Sequence, residues 1–137
     1  MIKILLLLFF LSNALLSDTI KLEISHMKNQ KGYLLIALFT KSGDYPKKGW
    51  IKRGLIKHIN AKVMKYTFKD IEKGTYAISI VHDENKNLDM DTNFIGMPKE
   101  GFGFSTNPKI RFSAPSFNDT KFYLNGLKNL SIKMDYL

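Results

Sequence analysis

The chain has 137 residues, a formal net charge of +9 and no cysteine. The missing thiols exclude disulfides, thiolate metal centres and a lipid-modified cysteine, so the fold must be held by packing alone. The length suits one domain with a single core, and a hydrophobic content of 45% is ordinary for such a domain.

At the start of the chain Lys3 precedes an unbroken apolar run, Ile4 to Leu11, followed by Ser12, Asn13, Ala14 and Ser17. This pattern predicts a secretory signal peptide over residues 1–17, cut after Ala14 or after Ser17, and a mature domain over residues 18–137. The run has about half of the roughly 20 apolar residues that a spanning helix needs, so no transmembrane helix is expected in the mature protein. The expected location is periplasmic or secreted.

Ile20, Leu22 and Ile24 alternate with Lys21, Glu23 and Ser25, the period of a strand with one wet and one buried face, here read as Thr19 to Met27. Asn29 to Gly32 reads as a turn. Tyr33 to Phe39 is continuously apolar and too short for a buried helix, which suits a central strand covered on both sides. From Tyr45 to Ile59 no period is clean, and Gly49 and Gly54 suggest an irregular connection or short helical turns. Alternation returns in Lys62 to Phe68, with Met64, Tyr66 and Phe68 on one face, and again in Thr75 to Val81, with Tyr76, Ile78 and Ile80 sharing a face.

The intervening Asp70 to Gly74 is a turn, and the spacing Ile71-x-x-Gly74-x-Tyr76 matches a tyrosine corner, in which a hydroxyl bonds back to upstream backbone. Thr120 to Leu124 and Leu130 to Tyr136 read as the last strands, with Asn125-Gly126 in the connection between them. About seven short strands, turn signals between them and no sustained 3.6-residue period predict an all-β fold, a single Greek-key β-sandwich.

Four of the twelve acidic residues, Asp83, Glu84, Asp89 and Asp91, fall within nine positions of this basic chain. Oxygen-bearing side chains recur at Asp83, Asn85, Asn87, Asp89 and Asp91, one every second residue, so a curling loop could aim several of them at one centre. A hard cation such as Ca²⁺ takes six to eight oxygens, and Asp-x-Asn-x-Asn opens many calcium loops. Counting from Asp83, however, Leu88 stands where an EF-hand has Gly and Phe94 where it has Glu, which excludes an EF-hand and leaves a loop site completed by Asp91 or Glu100. The alternative needs no metal: Asp and Asn side chains accept from backbone N–H groups two residues on, and such a loop holds its own turns.

Between Tyr45 and Lys69 stand Lys47, Lys48, Lys52, Arg53, Lys57, Lys62, Lys65 and Lys69, with no acid. Lys47, Lys48, Trp50, Lys52 and Arg53 would form a binding surface for an anionic envelope lipid or acidic glycan, with nucleic acid not expected for an exported protein. A merely solvated basic face is the other reading. Phe94, Phe102 and Phe104 lie in a connection too apolar for a solvated loop, which would fold over one end of the sandwich and pack there or leave Phe102 and Phe104 lining a ligand groove. His82-Asp83 and Ser105 carry no elbow or triad spacing, so no enzyme is expected, and His82 reads as a histidine bonded to the loop that follows it. The histidines are too scattered for a zinc site.

Gly74-Thr75-Tyr76-Ala77-Ile78, His82-Asp83-Glu84-Asn85 through Leu88-Asp89, Gly96-x-Pro98-x-Glu100-Gly101-x-Gly103-Phe104-Ser105 and Ala114-Pro115-Ser116-Phe117, in this order, resemble the DUF2141 family of bacterial exported proteins. The resemblance implies a periplasmic or secreted sandwich of immunoglobulin-like or transthyretin-like kind and carries over no catalytic residue. Members often have a glycine in the loop where this chain reads Asn87-Leu88-Asp89. Together these readings give an exported, non-enzymatic module with a calcium-type loop at residues 83–91 or, alternatively, a basic accessory protein acting through residues 47–57.

Overall fold

The computed structural model describes residues 17–41, 45–46, 50–110 and 112–137. All but the last residue of the segment read as a signal peptide lies outside these, as do Lys47 and Lys48. The elements in order are β1 (Asp18–Ser25), β2 (Tyr33–Phe39), β3 (Trp50–Ile56), β4 (Met64–Ile71), β5 (Gly74–Asp83), β6 (Gly101–Phe104), a one-turn helix α1 (Phe117–Thr120), β7 (Phe122–Leu124) and β8 (Leu127–Lys133). They form two stacked sheets, an all-β sandwich. One sheet has the order β4-β1-β8, with β1 antiparallel to β4 and parallel to β8, and the other the order β3-β2-β5-β6 with β7 also on β5. Among the described residues no helix is long and apolar enough to cross a membrane.

The period-two patterns become the core. Ile20, Leu22 and Ile24 of β1 meet Leu34, Ile36 and Leu38 of β2 and Ile78 and Ile80 of β5, joined by Phe68, Leu124 and Ile132. The opposite face of β2 is buried at Phe39, where Tyr45 stands edge-on between Phe39 and Phe117 at ring separations of 5.1 and 5.6 Å. That small outer cluster explains the unbroken apolar run of β2. Tyr76 donates its hydroxyl to the Glu72 carbonyl at 2.6 Å, the tyrosine corner expected from its spacing.

Three elements depart from the sequence reading. The Tyr45 to Ile59 stretch contains β3, a full strand paired antiparallel with β2 and broken by a register shift near Ile51. Neither of its faces is deeply buried, which is why no apolar period marks it. Gly101 to Phe104, read as part of a covering flap, is strand β6, paired with residues 79–82 of β5. The strand expected from Thr120 starts only at Phe122, because Thr120 ends α1, which is capped by a reciprocal pair: Ser116 accepts from Asp119 N–H and Asp119 accepts from Ser116 N–H.

Strands β6 and β7 lie end to end on one flank of β5, so the eight strands occupy seven places. Between them the chain makes an excursion closed at its neck by hydroxyls: Ser105 donates to Thr120 O and Thr106 to Asp119 O, both at 2.5 Å. The fully buried Ser105 hydroxyl also accepts from Ile78 N–H at 2.9 Å. Ser105→Ala is expected to lower stability by ~1–3 kcal/mol, because it leaves buried polar groups without a partner. Tyr76→Phe should cost ~1 kcal/mol. Denaturant unfolding of both variants checks these values.

Candidate functional site

The acidic loop begins where β5 ends, on two fully buried polar residues, His82 and Asp83. Buried charge needs donors. The Asp83 carboxylate receives two, from Asn87 N–H at 3.2 Å and Leu88 N–H at 2.8 Å. Each following asparagine then closes a turn with its carbonyl oxygen, Asn85 accepting from Asn87 N–H (3.2 Å) and Asn87 from Asp89 N–H (3.0 Å). Their amide nitrogens both point to Asp91, Asn87 donating to Oδ1 at 2.7 Å and Asn85 to Oδ2. Asp89 bonds its own neighbour, accepting from Met90 N–H at 2.8 Å.

Of the five expected ligand residues, Asn85 and Asn87 therefore gather on the Asp91 carboxylate and Asp83 on the loop backbone, while Asp89 turns to its own neighbour. Among the described residues no three acidic or histidine side chains form a group that could hold a metal ion. Lys86 and Leu88 take left-handed conformations (φ 63° and 64°) that favour glycine, and the side-chain bonds on either side hold them there. Leu88 stands where the resemblance places a glycine nearby, so the loop keeps a turn of this kind without the residue best suited to it.

The second half of the connection is a tight hairpin. Lys99 N–H bonds Asp91 O, Asn93 N–H bonds Met97 O, and Thr92 bridges Pro98. The Asn93 side chain accepts from both Ile95 and Met97 N–H at 3.0 Å. Sequence reasoning passed over Asn93; its signal was an Asx residue just before the apolar tip and Gly96. The tip carries Phe94 and Ile95 into solvent, Phe94 at 99% exposure. This corrects the expectation that Phe94 packs on the sandwich: with its turn closed so tightly, the side chain has nothing beneath it.

Phe102 and Phe104 sit elsewhere, on β6, where with Pro108, Ile110 and Met134 they line a cleft of about 210 Å³. No residue of the acidic loop borders that cleft. Both phenylalanines lie on one face of β6 because Gly101 and Gly103 take the other; a Cβ on Gly101 would lie 2.3 Å from the Tyr136 ring.

Glu100 closes the loop from below. It is 6% exposed, its Oε2 accepts from Asp91 N–H at 3.2 Å, and its Oε1 is buried without a partner. Burial pushes its carboxyl above the ordinary range; the Asp91 N–H bond and, more weakly, the Glu84 N–H oppose this, and the carboxylates of Asp91 and Asp83 add to it.

His82 and Ser105 are tied into structure. His82 Nε2 lies 2.7 Å from Lys31 O, which can only accept, so this nitrogen carries the proton. Tyr136 hydroxyl accepts from Lys28 N–H (3.0 Å) and donates to Nδ1 (2.6 Å). The histidine thus fastens the β1–β2 loop and the C-terminal segment, where the loop following it was expected to be its partner.

On the basic side, Trp50, Lys52 and Arg53 lie on β3, away from Phe102 and Phe104. Lys52 Nζ donates to Lys69 O at 2.6 Å and Asp70 O at 3.3 Å, and the Arg53 guanidinium stacks 4.3 Å from the Trp50 ring.

A family model described as an uncharacterized protein conserved in bacteria, DUF2141, matches residues 22–133, most of the chain. No curated protein and no solved structure matches it.

A buried carboxyl whose proton binds more tightly in the folded state destabilises that state once ionised. Glu100 therefore makes stability fall as pH rises from the ordinary carboxylate value, ~4.3, through its own raised value. Glu100→Gln should flatten this fall and be the more stable protein at neutral pH, with the difference closing below about pH 4. Urea unfolding of both proteins across pH 3.5–8 measures it.

Proposed function

We propose, for a chain that belongs to the DUF2141 family, that it is an exported, non-enzymatic binding module whose working element is the loop over residues 84–100. The observation that carries this reading is the side chain of Phe94, wholly exposed on a turn whose backbone is fixed by Asn93. A soluble domain gains nothing in stability from such a residue, whereas a rigidly presented apolar tip binds an apolar surface with little ordering entropy left to lose. Export is supported by the leader-like start of the sequence. The non-enzymatic reading is supported by the engagement of His82 and Ser105 in buried structural bonds.

A photo-crosslinking residue placed at Phe94 in cells of the native host should give a discrete adduct, and one placed at exposed Tyr123 should not. The double variant Phe94→Ser, Ile95→Ser should keep its melting temperature and lose adducts formed from a crosslinker at Leu88. No adduct at 94, or equal adducts at both sites, contradicts the reading.

A second reading, a hard cation taken up beside the tip, is favoured by one observation, the buried and unpartnered Oε1 of Glu100 near Asp91 and Asp83. Asn85 and Asn87 would have to turn their carbonyl oxygens toward the ion, giving up their bonds to Asp91. On this reading calcium at 100 times its Kd adds ~2.7 kcal/mol to stability, a rise of several degrees in Tm that EDTA reverses and Glu100→Gln abolishes. Identical melting curves with calcium and with EDTA exclude it.

A further inference from the structure

The edge strand β3 shows features that the tip-binding function does not use. Among the described residues it ends its sheet, with β2 as its one neighbour in the strand order β3-β2-β5-β6, and beyond the shift near Ile51 its residues Lys52 to Ile56 run in regular register with Leu38 to Leu34. Among the described residues no further backbone bond reaches residues 50–56, so toward these the outer side of the strand offers its N–H and C=O groups.

The strand is pinned down without being covered. Gly54 faces inward, where an added Cβ would lie 2.3 Å from the Tyr66 ring, and Lys52 reaches across to the carbonyls of Lys69 and Asp70 on β4. The other face is open, with Trp50 at 46% exposure under the Arg53 guanidinium, and Ile51 and Leu55 beside them. Exposed aromatic and aliphatic side chains along an unpaired edge are what an added strand packs against.

Charge selects the occupant. Residues 50–69 hold Lys52, Arg53, Lys57, Lys62, Lys65 and Lys69 and no acid. A second copy is disfavoured by this charge: pairing two β3 edges antiparallel about their centre sets Arg53 opposite Arg53, and like charges directly opposite are destabilising. The bulge and the lysines are common devices against such self-pairing. A flat anionic surface fits less well, because it would leave the backbone groups of the strand edge unused. We propose that β3 is a strand-addition site for an extended acidic peptide, whose backbone pairs with Lys52 to Ile56 and whose carboxylates face Arg53 and the neighbouring lysines.

The test uses the purified full-length mature chain and a fluorescein-labelled octapeptide of alternating Glu and Val, followed by fluorescence anisotropy. Saturable binding is expected, weakened at least tenfold by N-methylation of alternate peptide amides, at least tenfold by Arg53→Glu on the protein, and abolished when Lys replaces Glu in the peptide. Amides of β3 should gain hydrogen-exchange protection in the complex. An unchanged Tm for Arg53→Glu, which alters an exposed residue, separates lost binding from lost fold. The proposal is overturned if the peptide does not bind or if the N-methylated peptide binds as well. It is overturned equally if polyglutamate or phosphatidylglycerol vesicles bind as tightly as the peptide, which would make the edge a general polyanion surface.

Discussion

A carboxylate with no exposed surface must be met by donors, and at the end of β5 the backbone of the next loop supplies them. Asp83 takes N–H bonds from Asn87 and Leu88, and this pair fixes where the chain goes after leaving the sheet. Bonds to a charged acceptor are the stronger kind, ~1.5–3 kcal/mol each, enough to hold Lys86 and Leu88 in left-handed conformations. From there each polar side chain continues the pattern: Asn85 and Asn87 close turns and clamp Asp91, Asp91 N–H is held by Glu100, and Asn93 fixes the tip. The crowding of acids in a basic protein is thus resolved by backbone and amide donors, and the same bonds hold Phe94 in solvent.

The two ends of the sandwich differ in kind. At one end His82, Tyr136 and the Lys31 carbonyl tie the first loop and the C-terminal segment to the base of the acidic loop. At the other, hydroxyls of Ser105 and Thr106 close the excursion between β6 and β7, whose helix α1 covers the outer face of β2 through Phe117 and Tyr45. Polar residues that resemble catalytic pairs in sequence serve here as fasteners. Without disulfides, such buried hydrogen-bonded joints do the cross-linking, and the apolar core between the sheets supplies the bulk of the stability.

Much of the fold was legible because burial writes a period into sequence. Ile20-Leu22-Ile24, Tyr76-Ile78-Ile80 and the tyrosine corner each announced their strand and its inner face. β3 was not legible, since an edge strand buried deeply on neither side has no such period, and Gly54 read as a breaker although it makes room for Tyr66. β6 was hidden by its glycines, whose small size admits Tyr136, Ile132 and Met134 against the sheet. In the candidate site, the polar positions every second residue place Asp83, Asn85, Asn87 and Asp91 in one hydrogen-bonded loop. What spacing could not show is direction: whether an asparagine presents oxygen to a centre or nitrogen to a carboxylate depends on which backbone N–H groups the curling loop offers.

Asp83 orders the whole connection from a distance of several residues. Asp83→Asn keeps the shape and replaces one acceptor oxygen by an amide that cannot accept from the loop backbone. Hydrogen exchange followed amide by amide is the most direct measurement. Protection should be lost at residues 87, 88, 95 and 97 together while the amides of β2 and β5 keep theirs. If residues 95 and 97 stay as protected in Asp83→Asn as in the unaltered chain, the tip is ordered by Asn93 alone and not by Asp83.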